Sequence, residues 1–311
     1  MNSWYHRTAE SVNKAIPKGI KTAWWLIKIT VPVSFAVMLL DFYGILTFIA
    51  SYTSPVFNLL GLPGVAAVVF ITSIFTNIYS VVAILALLGL PMREGTIIAV
   101  MCLVSHGFLI ESAVMKKTGS SVLRMVILRL TGSFAVAALL NLIMPGEMSQ
   151  DVYSMVKTGN SLNNAVIHWL GSIAETVIKI LILVNLLLVF QQIMEEFGWI
   201  KLINKPLSPV MKLLGLPPET TLSWVVANLI GLAYGSAIMI DQTEKGTMSR
   251  KDADLLNHHV ALSHSQLEDP LLFLTLGYAM HWLIWPRLLI AVAAVWLRRL
   301  EIRYLNKGAT V

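Results

Sequence analysis

The chain has 311 residues, of which 56% are hydrophobic and only 13% are charged, and its mean hydropathy is +0.73. Soluble domains carry about 25% charged residues, so this composition excludes a soluble domain and indicates an integral membrane protein. The net charge of +6 does not indicate nucleic-acid binding, because the basic residues cluster beside apolar segments, as they do on the cytoplasmic side of membrane proteins. The single cysteine, Cys102, excludes a disulfide within the chain.

Residues 1–19 are polar, and we expect them to form an amphipathic helix on the membrane surface. They are not followed by a small-residue cleavage site, so no removable signal peptide is predicted. Apolar segments follow within the first repeat unit, 20–145, and are named a to e. Their predicted bounds are 20–40, 45–60, 64–90, 94–117 and 121–144. Segment a is long enough to cross a bilayer, whereas the shorter segment b, interrupted by Ser54-Pro55, is expected to be interfacial.

The same order of segments occurs again after a polar linker at 146–164. The sequence Leu59–Pro63 recurs as Leu213–Pro217 at an offset of 154 residues, and Ser105-His106 recurs as Ser263-His264 at an offset of 158. Such extended self-similarity indicates an internal duplication. The second unit, 165–302, contains a′ to e′, and a basic tail covers 303–311. The predicted bounds of a′ to e′ are 165–194, 199–214, 219–240, 249–268 and 270–298.

The basic clusters predict which segments cross. If a, c, d and e all crossed, with a cytoplasmic N-terminus, Lys116 and Lys117 would lie outside, against the positive-inside rule. If d instead enters and turns back near Ser105-His106-Gly107, both lysines return to the inside, and only the mixed Lys245–Lys251 loop departs from the rule. The C-terminus is then cytoplasmic as well. Four full crossings per unit, in a parallel arrangement, are the alternative.

We therefore predict an all-α polytopic membrane protein built from two inverted repeats. Each repeat would have about three transmembrane helices and one re-entrant helical hairpin, d or d′. An odd number of crossings inserts the second unit upside down relative to the first, which is the architecture of many secondary transporters.

The main candidate site combines the predicted tips of d and d′. Ionisable groups at membrane depth usually mark a path for an ion, a proton or a substrate, and a hairpin tip presents unpaired backbone groups to polar solutes. The alternative is that these side chains only join the two hairpins by hydrogen bonds. The candidates are Ser105, His106, Glu111, Ser263, His264, Gln266, Glu268 and Asp269.

Segments c and c′ supply a second set of candidates. In c, four polar residues follow the spacing of one helix face, which we expect to look into the protein. Hydrogen bonding between packed helices is the alternative role. The candidate residues are Ser73, Asn77 and Ser80 in c, together with Thr76 on the same face, and Asn228, Ser236 and Asp241 in or just after c′.

Arg129 and Arg287 are also matched between the two units and lie in apolar segments. Arg129 is expected to extend its side chain to the inner interface, in preference to pairing with Glu111.

No enzyme signature is present, and neither catalysis nor a cofactor is predicted. The chain lacks a glycine-rich phosphate loop followed by Lys-Ser or Lys-Thr. Ser263 and His264 are adjacent, so on a helix their side chains point about 100° apart, which does not suit a nucleophile and its base. His258, His259 and His264 are candidate metal ligands, although no His-Glu-x-x-His pattern occurs.

The matched Leu-Leu-Gly-Leu-Pro turns, the Asn77 segment and the Ser-His…Glu segments resemble the nucleoside-recognition, or Gate-domain, family. That family includes spore maturation proteins A and B and the membrane domain of the bacterial ferrous-iron transporter. The resemblance covers both units and implies a multi-pass protein of the bacterial cytoplasmic (inner) membrane with re-entrant elements. The iron transporter's GTP-binding domain is absent here.

These observations together favour a secondary transporter or permease for a small polar solute, nucleoside-like or an ion. His106, Glu111, His264, Glu268 and Asp269 are the candidates for coupling to a proton or cation. A non-transporting membrane scaffold and a metal-ion carrier or channel are the alternatives. The expected partners are membrane lipid and the solute, without nucleic acid, and the sequence leaves open whether the chain forms a homo-oligomer.

Overall fold

Glycines, prolines and polar caps divide the apolar sequence into helices. The computed structural model describes residues 2–146 and 161–308, and within these ranges it contains α-helices, one short 3-10 turn and no strand. The helices of the first unit are α1 (Asn2–Phe42), α2 (Ile45–Asn58), α3 (Ala66–Phe75), α4 (Ile78–Leu88), α5 (Met92–Ser105), α6 (Phe108–Lys117) and α7 (Val122–Ile143). Those of the second are α8 (Leu162–Glu196), α9 (Trp199–Leu213), α10 (Thr221–Leu229), α11 (Leu232–Glu244), α12 (Arg250–Ser263), α13 (Glu268–Leu274) and α14 (Met280–Gly308).

Within the described residues, four helices are long and apolar enough to cross a membrane. The spans lie at Trp4–Phe42, Val122–Ile143, Leu162–Met194 and Met280–Tyr304. The first is part of one continuous helix, α1, so residues 2–19 extend the crossing helix and do not form the separate surface helix that the sequence predicted. Likewise, α13 occupies the predicted start of e′, and the long helix of e′ begins only at Met280.

The helix α7 defines the two ends of the molecule, since its 22 residues reach about 33 Å. Its last turn lies at what we call the linker end, where Asn141 accepts a hydrogen bond of 2.7 Å from Arg93. Its first turn lies at what we call the basic end, where Arg124 pairs with Glu301 at 2.6 Å.

Segment d passes from one end to the other and does not turn back. The helix α5 begins beside Arg93 at the linker end, and α6 ends at Lys117, shortly before α7 begins at the basic end. Their 14 and 10 residues together reach about 36 Å, which matches the length of α7. The predicted re-entrant hairpin in d is therefore wrong: the helix breaks at His106-Gly107 and continues onward.

Segment c is the one that turns back. The helix α3 follows Gly61 at the linker end, where the Gly61 carbonyl lies 3.5 Å from an Arg93 nitrogen. It runs inward to Phe75, and α4 then returns to end at Leu88, just before α5 starts at the same end.

In the second unit, α10 and α11 form the hairpin. Ser223, near the start of α10, donates a 2.6 Å hydrogen bond to Gln242, near the end of α11. Both ends of the α10–α11 hairpin therefore lie together. Asp254, in the first half of α12, pairs with Arg298 at the basic end, whereas Gly277, after α13, faces Met92 at the linker end. Segment d′ is consequently a broken passage, like d.

Matched helices of the two units run antiparallel. In α1 and α8, Arg7 pairs with Glu196 at 2.9 Å, and the Trp169 indole donates to Ser34 at 3.1 Å, so the start of one helix lies beside the end of the other. In α7 and α14, Arg124 near the start of one pairs with Glu301 near the end of the other.

Each interruption has a local cause. Asn77 caps α4, because its side-chain oxygen accepts a hydrogen bond from the Ser80 backbone nitrogen at 3.1 Å. The predicted polar face formed by residues 73, 76, 77 and 80 is therefore wrong, since Ser73 lies in α3, Ser80 lies in α4, and Thr76 and Asn77 are the caps between the two helices. At the breaks between α5 and α6 and between α10 and α11, Gly107 and Gly231 have φ values of 60° and 118°, which favour glycine.

Candidate functional site

The four helix interruptions meet near the centre of the molecule. The Gly107 nitrogen donates to the Ser73 carbonyl at 2.9 Å, which joins the break of d to the hairpin of c. The Ser265 nitrogen donates to the Ala227 carbonyl at 3.0 Å, which makes the equivalent contact in the second unit. The two breaks also meet each other, because the rings of His106 and His264 lie 5.2 Å apart.

Two fully buried arginines hold the broken ends. Arg129 donates to the carbonyls of Val104 and His106 at 2.8 and 2.5 Å, and so caps the end of α5. These carbonyls belong to the last turn of a helix, where no backbone partner exists. Arg287 donates in the same way to Leu262 and His264, at 3.2 and 2.6 Å.

The two histidines present the same face to the centre. The Nδ1 atom of His106 lies 3.1 Å from the Cys102 carbonyl, and that of His264 lies 2.8 Å from the Val260 carbonyl. A carbonyl oxygen only accepts, so each Nδ1 carries a hydrogen. Both Nε2 atoms therefore face the cluster, as acceptors in a neutral imidazole or as donors in a protonated one.

Carboxylates surround these two nitrogen atoms. One Glu111 oxygen lies 3.1 Å from His106 Nε2, and the other lies 3.3 Å from His264 Nε2 and 2.9 Å from Arg129. Asp269 lies 3.7 Å from His106 Nε2. Glu268 accepts a 3.0 Å hydrogen bond from the Tyr79 hydroxyl. We call His106, Glu111, His264, Glu268 and Asp269 the central cluster.

The structure thus brings the five predicted coupling residues together. Ser105 lies beside them, with its hydroxyl 3.1 Å from that of Ser73, and both are buried. Asn77 and Ser80 form the cap of α4 at the tip of the first hairpin.

The remaining candidate residues of the second unit make different kinds of contact. Gln266, next to the cluster in sequence, has both side-chain polar atoms buried without a hydrogen-bond partner in the described part of the chain. The Asn228 side chain donates to the Trp224 carbonyl at 2.9 Å, within its own helix. Ser263 bonds His259 at 2.7 Å. Ser236 is buried in α11.

Three predicted residues do not join the central cluster. Asp241 is exposed near the end of α11 and pairs with Lys245 at 2.8 Å, because the return of the hairpin carries it to the basic end. The Nδ1 atom of His258 contacts the Asp254 carbonyl at 2.7 Å, and His259 accepts a hydrogen bond from Trp224 at 3.2 Å. Among the described residues, the group with metal-ligand spacing is His106, Glu111 and His264, so the predicted grouping of His258, His259 and His264 is wrong.

Sequence reasoning also missed or misplaced several residues of the site. Arg129 does not extend to the interface, since it is completely buried and pairs with Glu111. Its match to Arg287 at the same offset as the histidines was the available signal. Tyr79 was missed because its partner Glu268 lies 189 residues away in the chain.

Composition, helix lengths and the absence of strands in the described ranges together define a multi-pass, all-α membrane protein. No family model matches the sequence, and no solved structure matches it. The chain is 30% identical over 293 residues to the uncharacterized membrane protein YvoD of Bacillus subtilis (strain 168), covering 92% of each protein. It therefore belongs to the same family of membrane proteins as YvoD.

Proposed function

We propose that this protein is a secondary transporter that moves a small polar solute across the cytoplasmic membrane by alternating access. The observation that carries this proposal is the meeting of four helix interruptions at a buried cluster of histidines and carboxylates. Secondary transporters bind substrate and coupling ions at interrupted helices near the bilayer midplane. Irregular backbone at that depth is otherwise costly, because lipid offers no hydrogen bonds.

The antiparallel matched helices support two inverted repeats. Each would contain three crossings (segments a, d and e) and one re-entrant hairpin, formed by α3–α4 or α10–α11. The site would lie between the repeats, where each contributes one histidine and at least one carboxylate. Relative movement of the two units would then expose the cluster to one side at a time.

The charge distribution supports a cytoplasmic basic end. Lys116, Lys117, Arg124 and Arg298 lie at that end, and so does the loop from Lys245 to Lys251, because α10–α11 returns to it. That loop was the exception when d was taken as the hairpin, and the corrected topology removes the exception. Both termini would be cytoplasmic.

The resemblance to the Gate-domain family fits this proposal. The family includes membrane proteins with re-entrant elements, and the duplicated Leu-Leu-Gly-Leu-Pro turns precede both hairpins. We infer membership of that family as part of the proposal.

Cysteine accessibility tests the proposal. In a Cys102→Ser background, cysteines at positions 106 and 264 are labelled in sealed proteoliposomes with small polar thiol reagents applied from each side. Both positions should react if the cluster opens to water, and uridine or Mn²⁺ should protect them if either occupies the site. His264→Asn should abolish uptake of the protecting solute by proteoliposomes, and the exposed His281→Asn should retain it.

A scaffold predicts a different outcome. If both cysteines stay unreactive from either side in folded protein, and neither uridine nor Mn²⁺ enters proteoliposomes above the level of empty liposomes, the cluster is a packing element and the transporter proposal fails.

A further inference from the structure

We propose that His106, His264 and Glu111, with Asp269 as a fourth ligand, bind a divalent transition-metal ion between the two repeats. This inference rests on the proposed function, because it names the class of solute that the same site would carry. The three named groups come from two different broken passages and offer ligand atoms that all lie within 4.8 Å of one another.

Both histidine Nε2 atoms face carboxylate oxygens, because both Nδ1–H groups are directed at backbone carbonyls. In neutral imidazoles these nitrogens present lone pairs, and the carboxylate oxygens also accept. A positive charge placed between them, from a metal ion or from protons on the imidazoles, removes the repulsion. The spacing of the ligand atoms favours one metal ion shared by the group.

Two buried polar atoms of the cluster lack hydrogen-bond partners. The His264 side chain is only 2% exposed, and its Nε2 makes no hydrogen bond. The Oδ2 atom of Asp269 also makes none, whereas Oε2 of Glu111 is held by Arg129 at 2.9 Å. A buried polar atom without a partner is costly, and a metal ion in the centre would satisfy both atoms at once.

Two of the three distances suit an ion better than hydrogen bonds, because only the 3.1 Å separation of His106 and Glu111 lies within the usual range of about 2.7–3.2 Å for an N–H···O bond. Bonds of about 2.0–2.2 Å place two ligands of one ion about 3–3.5 Å apart. The two Glu111–histidine separations are 3.1 and 3.3 Å, and the Asp269 separation is 3.7 Å. Charge-assisted hydrogen bonds are typically 2.7–2.9 Å long.

The ligand types indicate the class of ion. Imidazole nitrogens with carboxylate oxygens suit Zn²⁺, Fe²⁺, Co²⁺ and Mn²⁺, whereas Ca²⁺ and Mg²⁺ prefer oxygen ligands alone. The backbone carbonyls of Cys102 and Val260 fix the two imidazoles, as outer partners of metal-bound histidines generally do. Arg129 holds one oxygen of Glu111 in the same manner.

The charge balance also permits a cation. Two buried arginines, Arg129 and Arg287, face three acidic residues of the central cluster, so with neutral histidines and ionised acids the site carries one excess negative charge. A bound divalent ion would turn this single excess negative charge into a single excess positive charge. The ion is therefore not held by a large excess of negative charge, and this suits an ion that must also be released.

The test measures binding of Zn²⁺ and Co²⁺ to the purified full-length chain in detergent. Equilibrium dialysis followed by elemental analysis should give one high-affinity ion per chain, and bound Co²⁺ should show the visible absorption of nitrogen and oxygen coordination. Loss of a residue that only hydrogen-bonds a metal ligand typically weakens metal binding by about 10–100-fold. His106→Asn and His264→Asn remove the ligands themselves, so each should weaken binding by at least that factor. The control His281→Asn, altered at an exposed histidine, should bind like the unmodified chain.

The outcomes separate this inference from the proposed function. Unmodified protein that binds neither ion overturns the metal site even if it transports uridine, and so does binding that survives the double variant His106→Asn/His264→Asn. Binding without any flux in proteoliposomes leaves the metal site standing and rejects transport. If the histidine variants misfold, as judged by gel filtration, the Asp269→Asn variant takes their place. Its affinity for Zn²⁺ and Co²⁺ should then be lower than that of the unmodified chain, and equal affinity would count against the metal site.

Discussion

At the scale of single residues, the two buried arginines explain how broken helices persist inside the protein. Arg129 contributes to three groups at once: the carbonyls of Val104 and His106, and the Glu111 carboxylate. Without Arg129 the two carbonyls would lose this buried partner, and Glu111 would keep only its contacts with the two histidines. The same side chain therefore stabilises the backbone break and positions an acidic residue of the candidate site.

Replacing Arg129 with Gln should destabilise the protein strongly. The change leaves Glu111 buried without its arginine and frees two helix carbonyls, and breaking a buried ion pair costs about 3–5 kcal/mol. Thermal unfolding in detergent measures the loss. The double variant Arg129→Gln/Glu111→Gln should recover part of it, because the second substitution removes the unpaired charge.

Arg124→Gln is the matched control for this prediction. Arg124 pairs with Glu301, but both side chains are more than a third exposed, and such pairs contribute about 1 kcal/mol or less. Equal unfolding temperatures for Arg124→Gln and Arg129→Gln would contradict the capping role assigned to Arg129.

At the scale of elements, the α10–α11 hairpin closes through a glycine contact. A Cβ atom at Gly235 would lie 2.5 Å from the Cβ of Ala227, on the facing helix. Only glycine therefore lets α11 approach α10 this closely. The approach fixes the position of the hairpin tip, whose Ala227 carbonyl accepts the Ser265 nitrogen next to His264.

Gly235→Ala should consequently force the two arms apart and lower stability by about 1–3 kcal/mol, the usual cost of overpacking. It should also reduce solute uptake or ion binding by more than the loss of stability alone accounts for, because the tip of the hairpin supports the central cluster. Gly171→Ala is the control: a Cβ there meets nothing within 4 Å, and alanine favours a helix by up to about 1 kcal/mol. A Gly235→Ala variant that behaves like Gly171→Ala would refute the close-contact argument.

The same helices show which parts of the fold could be predicted from the sequence. The membrane class and the apolar segments were predictable, because hydropathy is a local signal, whereas the helix breaks inside c and at the start of e′ were not predicted. The assignment of the hairpin was wrong, because c and d are both apolar segments with a polar interruption, and local signals do not tell a turn from a break. The contacts that distinguish a turn from a break are long-range: Arg93 contacts Asn141, and Ser223 contacts Gln242.

The candidate site, too, could be predicted only in part from the sequence. The duplicated Ser-His steps predicted that His106 and His264 belong to one site at two hairpin tips; the structure places their rings 5.2 Å apart, at the breaks of two passages instead. The polar spacing in c was misread, since an N-cap residue and the polar face of a helix produce similar patterns. Asp241 was misplaced because the return of the hairpin could not be predicted from its own sequence.

At the scale of the whole molecule, the corrected path of the chain makes a prediction about sidedness. Leu59 and Met92 are exposed at the linker end, whereas Lys116 and Lys251 are exposed at the basic end. Single cysteines at these positions, in a Cys102→Ser background, are labelled in sealed inside-out and right-side-out vesicles with a membrane-impermeant reagent. Positions 59 and 92 should label from one side, and positions 116 and 251 from the other.

This pattern distinguishes the two ways of threading the chain. If segment d were the re-entrant hairpin, positions 92 and 116 would label from the same side, because both arms would return to one surface. In the observed fold they lie at opposite ends of a broken passage of about 36 Å, longer than the roughly 30 Å hydrocarbon core. The basic clusters further predict that positions 116 and 251 react from the cytoplasmic side. Labelling of those two from the opposite side would leave the fold intact but reverse the proposed orientation, and with it the side from which each hairpin enters the membrane.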